Sequence, residues 1–267
     1  MSTSAHPVRS VIRRWSTRPA SFGILTAAVA VALSSWLAAP AQAGSASPPA
    51  AGQWPVAGQN TNNDRYQPNE TIIGPGNVSK LTPKWTFTTA PGTGVWATPT
   101  LAGGIVYFIA LDEGKPGYLY AADAATGKQI WSDYIPDLSP LLPADASTRT
   151  SPVVFGDELI FGDQHNGTGT GAHLMAVNRF TGKLKWITTV DSQVAAQITG
   201  SPVVLGSVVY GGTSSSEEAL DGTSYPCCTF RGQAFAVNAV TGKIIWQTRT
   251  IPDNGGVPGG YSGGAVY

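Results

Sequence analysis

The chain has 267 residues, equal numbers of basic and acidic side chains (16 each), only 12% charged residues, and 32 glycines and 20 prolines. This mixture, with 8 Trp, 9 Tyr and 8 Phe, favours short strands and tight turns over amphipathic helices. Without the first 43 residues, which hold four arginines and no acid, the balance falls to about −4, against the basic surface that nucleic-acid binding needs.

The chain opens on an expected export signal over residues 1–43. Arg9, Arg13, Arg14 and Arg18 form a basic leader, an apolar run follows from Phe22 to Leu37, and Ala41-Gln42-Ala43 makes a small-residue cleavage site. The run is too short and too rich in Ala and Ser for a stable membrane span. An exported, periplasmic or secreted protein without a membrane span after cleavage is therefore expected. Arg13-Arg14 leaves the twin-arginine and general export routes both open. Residues 44–52, rich in Gly, Ser, Ala and Pro, read as a linker.

From residue 53 to 267 the chain repeats itself. Thr98-Pro99-Thr100-Leu101, Ile105–Phe108, Leu119–Asp123, Thr126-Gly127-Lys128 and Trp131 form the first copy. The second is Ser151–Val154, Leu159–Gly162, Leu174–Asn178, Thr181-Gly182-Lys183 and Trp186. The third is Ser201–Val204, Val208–Gly211, Ala234–Asn238, Thr241-Gly242-Lys243 and Trp246. A period of this size marks a repeat architecture. Each copy resolves into four antiparallel strands, so the expected fold is all-β: blades of a partial β-propeller. The Asp/Asn-x-x-Thr-Gly-Lys turn supplies a glycine where φ > 0 is needed, and the following Trp suits wedging one sheet against the next. Ahead of the first copy, Trp85 is expected to close an incomplete blade. Ser262–Tyr267 reads as the start of another, with a connector over 254–264. Three to three and a half blades cannot close a ring, so a truncated protein or gene fragment is expected.

The links between first and second strands, and between third and fourth, are short turns. The second-to-third links lengthen along the chain (112–117, 163–172, 213–232), and the blade-to-blade links are long. In an up-and-down sheet this gathers every long loop on one face, where function collects. The longest insertion holds Tyr225-Pro226-Cys227-Cys228-Thr229-Phe230-Arg231-Gly232, with the chain's only two cysteines. Export makes a disulfide between them feasible; a loop staple or a free pair are the other readings. Arg231 also reads as a surface residue, and Glu217-Glu218 as a charged loop. His165 and His173 sit in no metal spacing and are expected at a solvated loop and a strand edge. The Thr-Gly-Lys turns make no phosphate loop, and no Gly-x-Ser-x-Gly elbow occurs.

The repeat Ala-x-Asp/Asn-x-x-Thr-Gly-Lys-x-x-Trp resembles the tryptophan-docking motif of quinoprotein dehydrogenases that use pyrroloquinoline quinone (PQQ). The Trp54…Asp64-Arg65-Tyr66…Trp85 opening resembles the start of their propeller, and the Glu217–Leu220 and Tyr225–Gly232 stretches look most like the polyvinyl-alcohol dehydrogenase branch. The resemblance covers Trp54 to Tyr267. It implies an eight-bladed propeller, PQQ and Ca²⁺ as cofactors, an alcohol substrate and a cytochrome c-type electron acceptor. Carried over, it implies a vicinal disulfide of Cys227 and Cys228 against the quinone, a cofactor contact from Arg231, and a hydrogen bond from Glu218 or Glu217. Only Thr229 and Phe230 separate the pair from Arg231, fewer than in the family's alcohol dehydrogenases. The calcium ligands and the catalytic Asp base are expected in later blades. The alternative is a non-enzymatic propeller of the same superfamily, serving only for binding. Such a module needs no vicinal cysteines, and a lipoprotein would have Cys where Gly44 stands.

Overall fold

The computed structural model describes residues 52–112, 115–166, 169–220, 222–225, 227–253 and 255. The expected leader, all but Gly52 of the linker, and all but Gly255 of residues 254–267 lie outside these. Among the described residues no helix is long and apolar enough to cross a membrane.

Three antiparallel sheets follow one another along the chain. The first contains β1 (Gly94–Val95), β2 (Thr100–Ala102), β3 (Ile105–Leu111), β4 (Tyr118–Asp123) and β5 (Gln129–Tyr134). The second has β6 (Val153–Phe155), β7 (Glu158–Gly162), β8 (Ala172–Asn178) and β9 (Leu184–Asp191). In the third are β10 (Ala196–Gln197), β11 (Val203–Leu205), β12 (Val208–Ser215), β13 (Gln233–Asn238) and β14 (Ile244–Arg249). The four-stranded blades expected from the repeat are present, and two gain a fifth strand. The reason is a length mismatch. β3 and β12 run on past their partners β2 and β11, which pair only with Ile105–Tyr107 and Val208–Tyr210. That leaves an exposed edge of unpaired backbone groups. β1 covers Ala110 and Leu111, and β10 covers Ser214 and Ser215. In the middle blade a single bridge between Ser147 and Gln164 does the same.

The middle blade is buried on both faces, and strand alternation divides its side chains. Phe161, Met175 and Val177 pack with Tyr107, Ile109 and Leu119 of the first blade. Ile160, Leu174 and Ala176 pack with Val209, Phe235 and Val237 of the third. On the far side of the first blade, Phe108 and Tyr120 are covered by Phe87, with ring centroids 5.0 and 5.3 Å away.

The blades are latched at their turns. Asn178 Oδ1 accepts from the amides of Phe180 and Thr181 and from the Thr181 hydroxyl at 3.0–3.1 Å; Asp123 and Asn238 brace their turns in the same way. The residue after each brace offers its carbonyl to the indole of the preceding blade: Trp131 Nε1 to Arg179 O at 3.0 Å, Trp186 Nε1 to Ala239 O at 2.9 Å. Trp85 makes the same bond to Ala124 O at 3.0 Å. It lies outside any strand, so the expected strand at Trp85 is absent while its docking role is present. The segment before it is also used: Trp54 exchanges two main-chain bonds with Leu101, and Pro55 O accepts from Val154 N, lacing the first two blades together.

Gly242 has φ +71°, and a Cβ there would lie 2.8 Å from the Trp186 ring. Gly206 has φ +61° with nothing within 4 Å. Replacing Gly206 by Ala should cost about 1–2 kcal/mol from left-handed backbone alone. At Gly242 the displaced indole should add roughly 1–3 kcal/mol. Urea unfolding of the two variants checks this; equal losses would show that the ring contact adds nothing.

Candidate functional site

The longest insertion folds around one buried carboxylate. Glu217 opens a 3₁₀ turn, Glu217–Leu220, and its side chain points inward at 6% exposure. Its Oε1 accepts from the amides of Thr229 at 2.7 Å and Phe230 at 2.9 Å, and from the Tyr225 hydroxyl at 2.8 Å. Gln193 Nε2 donates to Tyr225 Oη at 2.7 Å and Thr229 Oγ1 at 3.1 Å, tying the loop to the link between the second and third blades. Phe230 is fully buried in the core between those blades. Burial pushes the Tyr225 phenol above its ordinary range, and the Glu217 carboxylate adds to the rise.

Between these anchors Cys227 and Cys228 are joined to each other as a vicinal disulfide across a cis peptide, with Cα atoms 3.0 Å apart. Cys227 is exposed and Cys228 half-buried. The Glu217 carboxylate and both sulfurs lie within 4.8 Å of one another, the one such three-ligand group among the described residues. Disulfide sulfurs are neutral, whereas metal-binding sulfur is thiolate, so this group is no metal centre. Arg231 lies beyond the disulfide and pairs with Asp253 at 3.3 Å. Nearby, Arg249 closes on the buried Asp191 with both guanidinium nitrogens and also donates to Arg231 O.

Glu218 points the other way, into a cleft of about 210 Å³ on the long-loop face. The segments that cover the overrunning strand edges build it. Trp96 follows β1, Arg149 follows the Ser147 bridge, and Gln197 lies in β10. Opposite them, Gln164 and His165 extend β7, and Ser216 extends β12. All three blades thus contribute. Arg149 is exposed and has neither ion pair nor hydrogen bond among the described residues.

His165 departs from its expected solvated position, whereas His173 lies at the start of β8, the strand edge expected for it. His165 is 3% exposed and reaches Ala196 O with Nε2 at 3.1 Å, while Gly169 packs against its ring. His173 is 1% exposed; its Nδ1 lies 2.8 Å from Asp163 Oδ2 and its amide donates to Asp163 Oδ1 at 2.6 Å. His165 is buried where the link carrying β10 meets it, and His173 is held inside its own blade by Asp163. Sequence reasoning also missed Arg149 and Trp96. The signal available was their position just before each copy's Thr/Ser-Pro pair, at the mouth of a long blade link.

Glu217→Ala should strip the acceptor from two loop amides and cost about 1–3 kcal/mol. Hydrogen exchange at Thr229 and Phe230 should accelerate. Glu218→Ala, exposed in the cleft, should stay within roughly 0.5 kcal/mol. Exchange mass spectrometry with urea melts measures both, and unchanged protection in Glu217→Ala would refute the anchoring role.

The chain is similar to known proteins over part of their length. Polyvinylalcohol dehydrogenase of Sphingopyxis sp. (strain 113P3) is 31% identical over 236 residues, covering 82% of this chain and 33% of that protein. Lupanine 17-hydroxylase [cytochrome c] of a Pseudomonas species is 30% identical over 209 residues, covering 78% of this chain and 28% of that one. A solved quinohemoprotein alcohol dehydrogenase from Pseudomonas putida HK5 superposes with a TM-score of 0.59 at 26% identity, over 78% of this chain and 28% of the other. The chain therefore spans about a third or less of the length of these relatives. Residues 77–220, more than half of the chain, match the family profile described as outer membrane protein assembly factor BamB. The chain belongs to this family of quinoprotein-type propeller repeats, as a distant relative of the PQQ-dependent alcohol dehydrogenases.

Proposed function

We propose that the chain is the N-terminal part of an exported PQQ-dependent dehydrogenase that oxidises an alcohol, in a polymer or a smaller molecule, by hydride transfer to the quinone. The observation that carries this is the pairing of a vicinal disulfide with a polar, arginine-bearing cleft across a single 3₁₀ turn. Glu217 fixes the disulfide on one side of the turn, and Ser216 and Glu218 line the cleft on the other.

The residues suit a flat, anionic quinone. The disulfide presents two polarizable sulfurs as an uncharged plate. Arg149 is a permanent cation without an internal partner, free to meet a carboxylate with its fork of donors. At about 210 Å³ the cleft is smaller than the ~300–1,000 Å³ of pockets that enclose a drug-sized ligand, so it would take one edge of a tricyclic quinone. When bound, the quinone would supply the hydride acceptor for the oxidation. Within this reading Arg149, rather than Arg231, is the arginine placed to attract it, since Arg231 is engaged with Asp253.

Calcium fits less well. Ca²⁺ takes six to eight oxygen ligands, and no cluster of three carboxylates occurs among the described residues. We therefore assign no calcium site here. Because the chain spans about 30% of the relatives' length, the oxidation and a cytochrome c-type acceptor are assigned to the whole enzyme. Export to the periplasm or beyond rests on the leader in residues 1–43. A purely scaffolding propeller would need neither the disulfide nor an unpaired arginine beside it.

The chain should quench its own tryptophan emission on titration with PQQ, and Arg149→Gln should weaken binding about tenfold or more. With PQQ and Ca²⁺ added, alcohol-dependent dye reduction by this chain alone should be absent. No saturable PQQ binding would remove the proposal, and turnover by the chain alone would overturn the assignment of chemistry to the larger enzyme.

A further inference from the structure

At the two seams between the blades, the residue two places beyond the docking tryptophan comes down on the glycine turn of the next blade. Strand alternation puts it on the same face as the indole. At the second seam it is Thr188, whose hydroxyl donates to Gly242 O at 2.6 Å. At the first seam the same place is taken by Asp133. Its Oδ2 lies against Gly182, where a Cβ would come within 2.0 Å of it, as a Cβ on Gly242 would lie 3.0 Å from Thr188 Oγ1. The turns match in conformation, with φ +73° at Gly182 and +71° at Gly242, and both glycines are buried.

The two seams differ by a proton. Asp133 Oδ2 is buried without a hydrogen-bond partner, and no described residue donates to the Gly182 carbonyl. An ionised carboxylate and a carbonyl are both acceptors and cannot satisfy each other. Acceptors left unmet in the interior are uncommon and costly. One proton on Asp133 makes it the donor that Thr188 is at the other seam.

The charged groups around Asp133 do not remove the mismatch. The cations on the elements packed against it are Arg179, Lys183 and Lys185. Arg179 is spent on the Gly156 and Ala102 carbonyls and the Tyr107 hydroxyl, Lys185 pairs with Glu158 at 3.0 Å, and Lys183 is exposed. On its own sheet the titratable neighbours are Tyr118 and Tyr134, and Asp137 acts on Tyr134. Burial alone acts on the Asp133 carboxyl, raising it above the usual aspartate range. The folded chain therefore keeps this proton to higher pH than the unfolded chain does. Its contribution is full below the ordinary aspartate range near ~4 and is lost as pH rises through the folded value.

We propose that Asp133 is a protonation-dependent latch between the first and second blades. As a carboxylic acid it donates to the Gly182 carbonyl; as a carboxylate it leaves that carbonyl unmet. The latch sits on the short-turn face, away from the cleft, and does not rest on the quinone reading.

The test follows urea unfolding of the full chain between about pH 3 and about pH 8, beside a carbon NMR titration of the Asp133 carboxyl and the Gly182 carbonyl. Asp133→Asn is a neutral isostere whose amide donates at every pH. Near the acid limit the variant and the wild type should fold about equally well. At neutral pH the folding constant of Asp133→Asn should exceed that of the wild type by about fivefold or more. In the wild type the carboxyl should titrate above ~4, and the Gly182 carbonyl signal should move with the same midpoint. A stability ratio that does not change with pH, a carboxyl that titrates at or below the ordinary aspartate range, or a Gly182 signal that ignores the titration would each overturn the latch. The NMR titration needs no variant, so a misfolded Asp133→Asn leaves the test intact.

Discussion

The structure depends on one contact made three times: an indole N–H from one blade given to a turn carbonyl of the next. Trp85, Trp131 and Trp186 reach Ala124, Arg179 and Ala239 at 2.9–3.0 Å. Each bond joins residues 39 to 53 positions apart, yet its geometry is set locally. The Asp or Asn brace fixes the turn so that the following carbonyl points outward, and at Gly127 and Gly242 the missing side chain lets the ring lie against the backbone. A bulky, amphipathic side chain thus does two jobs, excluding water from the seam and satisfying a carbonyl that no strand partner reaches. Trp246, the next in the series, is 44% exposed with Ile244 and Ile245 beside it, and none of the described residues covers that face.

Once the blades are latched, strand length determines what happens on the other face. The inner strands overrun their partners, and the chain answers by laying β1, the Ser147 bridge and β10 along the leftover edges. These three segments solve a hydrogen-bonding problem and also deliver Trp96, Arg149 and Gln197 to one cleft. The same constraint that closes the sheet edges therefore assembles the site. The cleft forms where these three edge-covering segments meet the ends of β7 and β12 and the 3₁₀ turn.

Glu217 and Glu218 show how one residue of offset separates structure from chemistry. In a 3₁₀ turn neighbouring side chains diverge by about a third of a revolution. Glu217 turns inward and is spent on the disulfide loop, and Glu218 turns outward into the cleft. The loop that carries the disulfide is held by the buried carboxylate beneath it, through bonds from the Thr229 and Phe230 amides and the Tyr225 hydroxyl.

The sequence alone determined the blades. A period of 55 to 60 residues in the tryptophans, Thr-Gly turns and alternating apolar runs are local signals that survive in any packing. They located the core strands and the face where the loops gather. The side-by-side cysteines were legible for the same reason, since adjacency needs no folding to establish it. Tertiary structure decided the rest. Two-residue strands such as β1 and β10 have no periodicity to read and exist only because an unpaired edge lies beside them. His165 reads as solvated because Gln164, Asn166 and Gly167 surround it in the sequence; it is buried because the distant link that carries β10 meets it. Arg149 stands in a polar stretch like any surface arginine, and only the convergence of three blades makes it part of a site. Local pattern encodes which segments become strands, whereas exposure, orphaned acceptors and unpaired charge are properties of what comes to lie alongside.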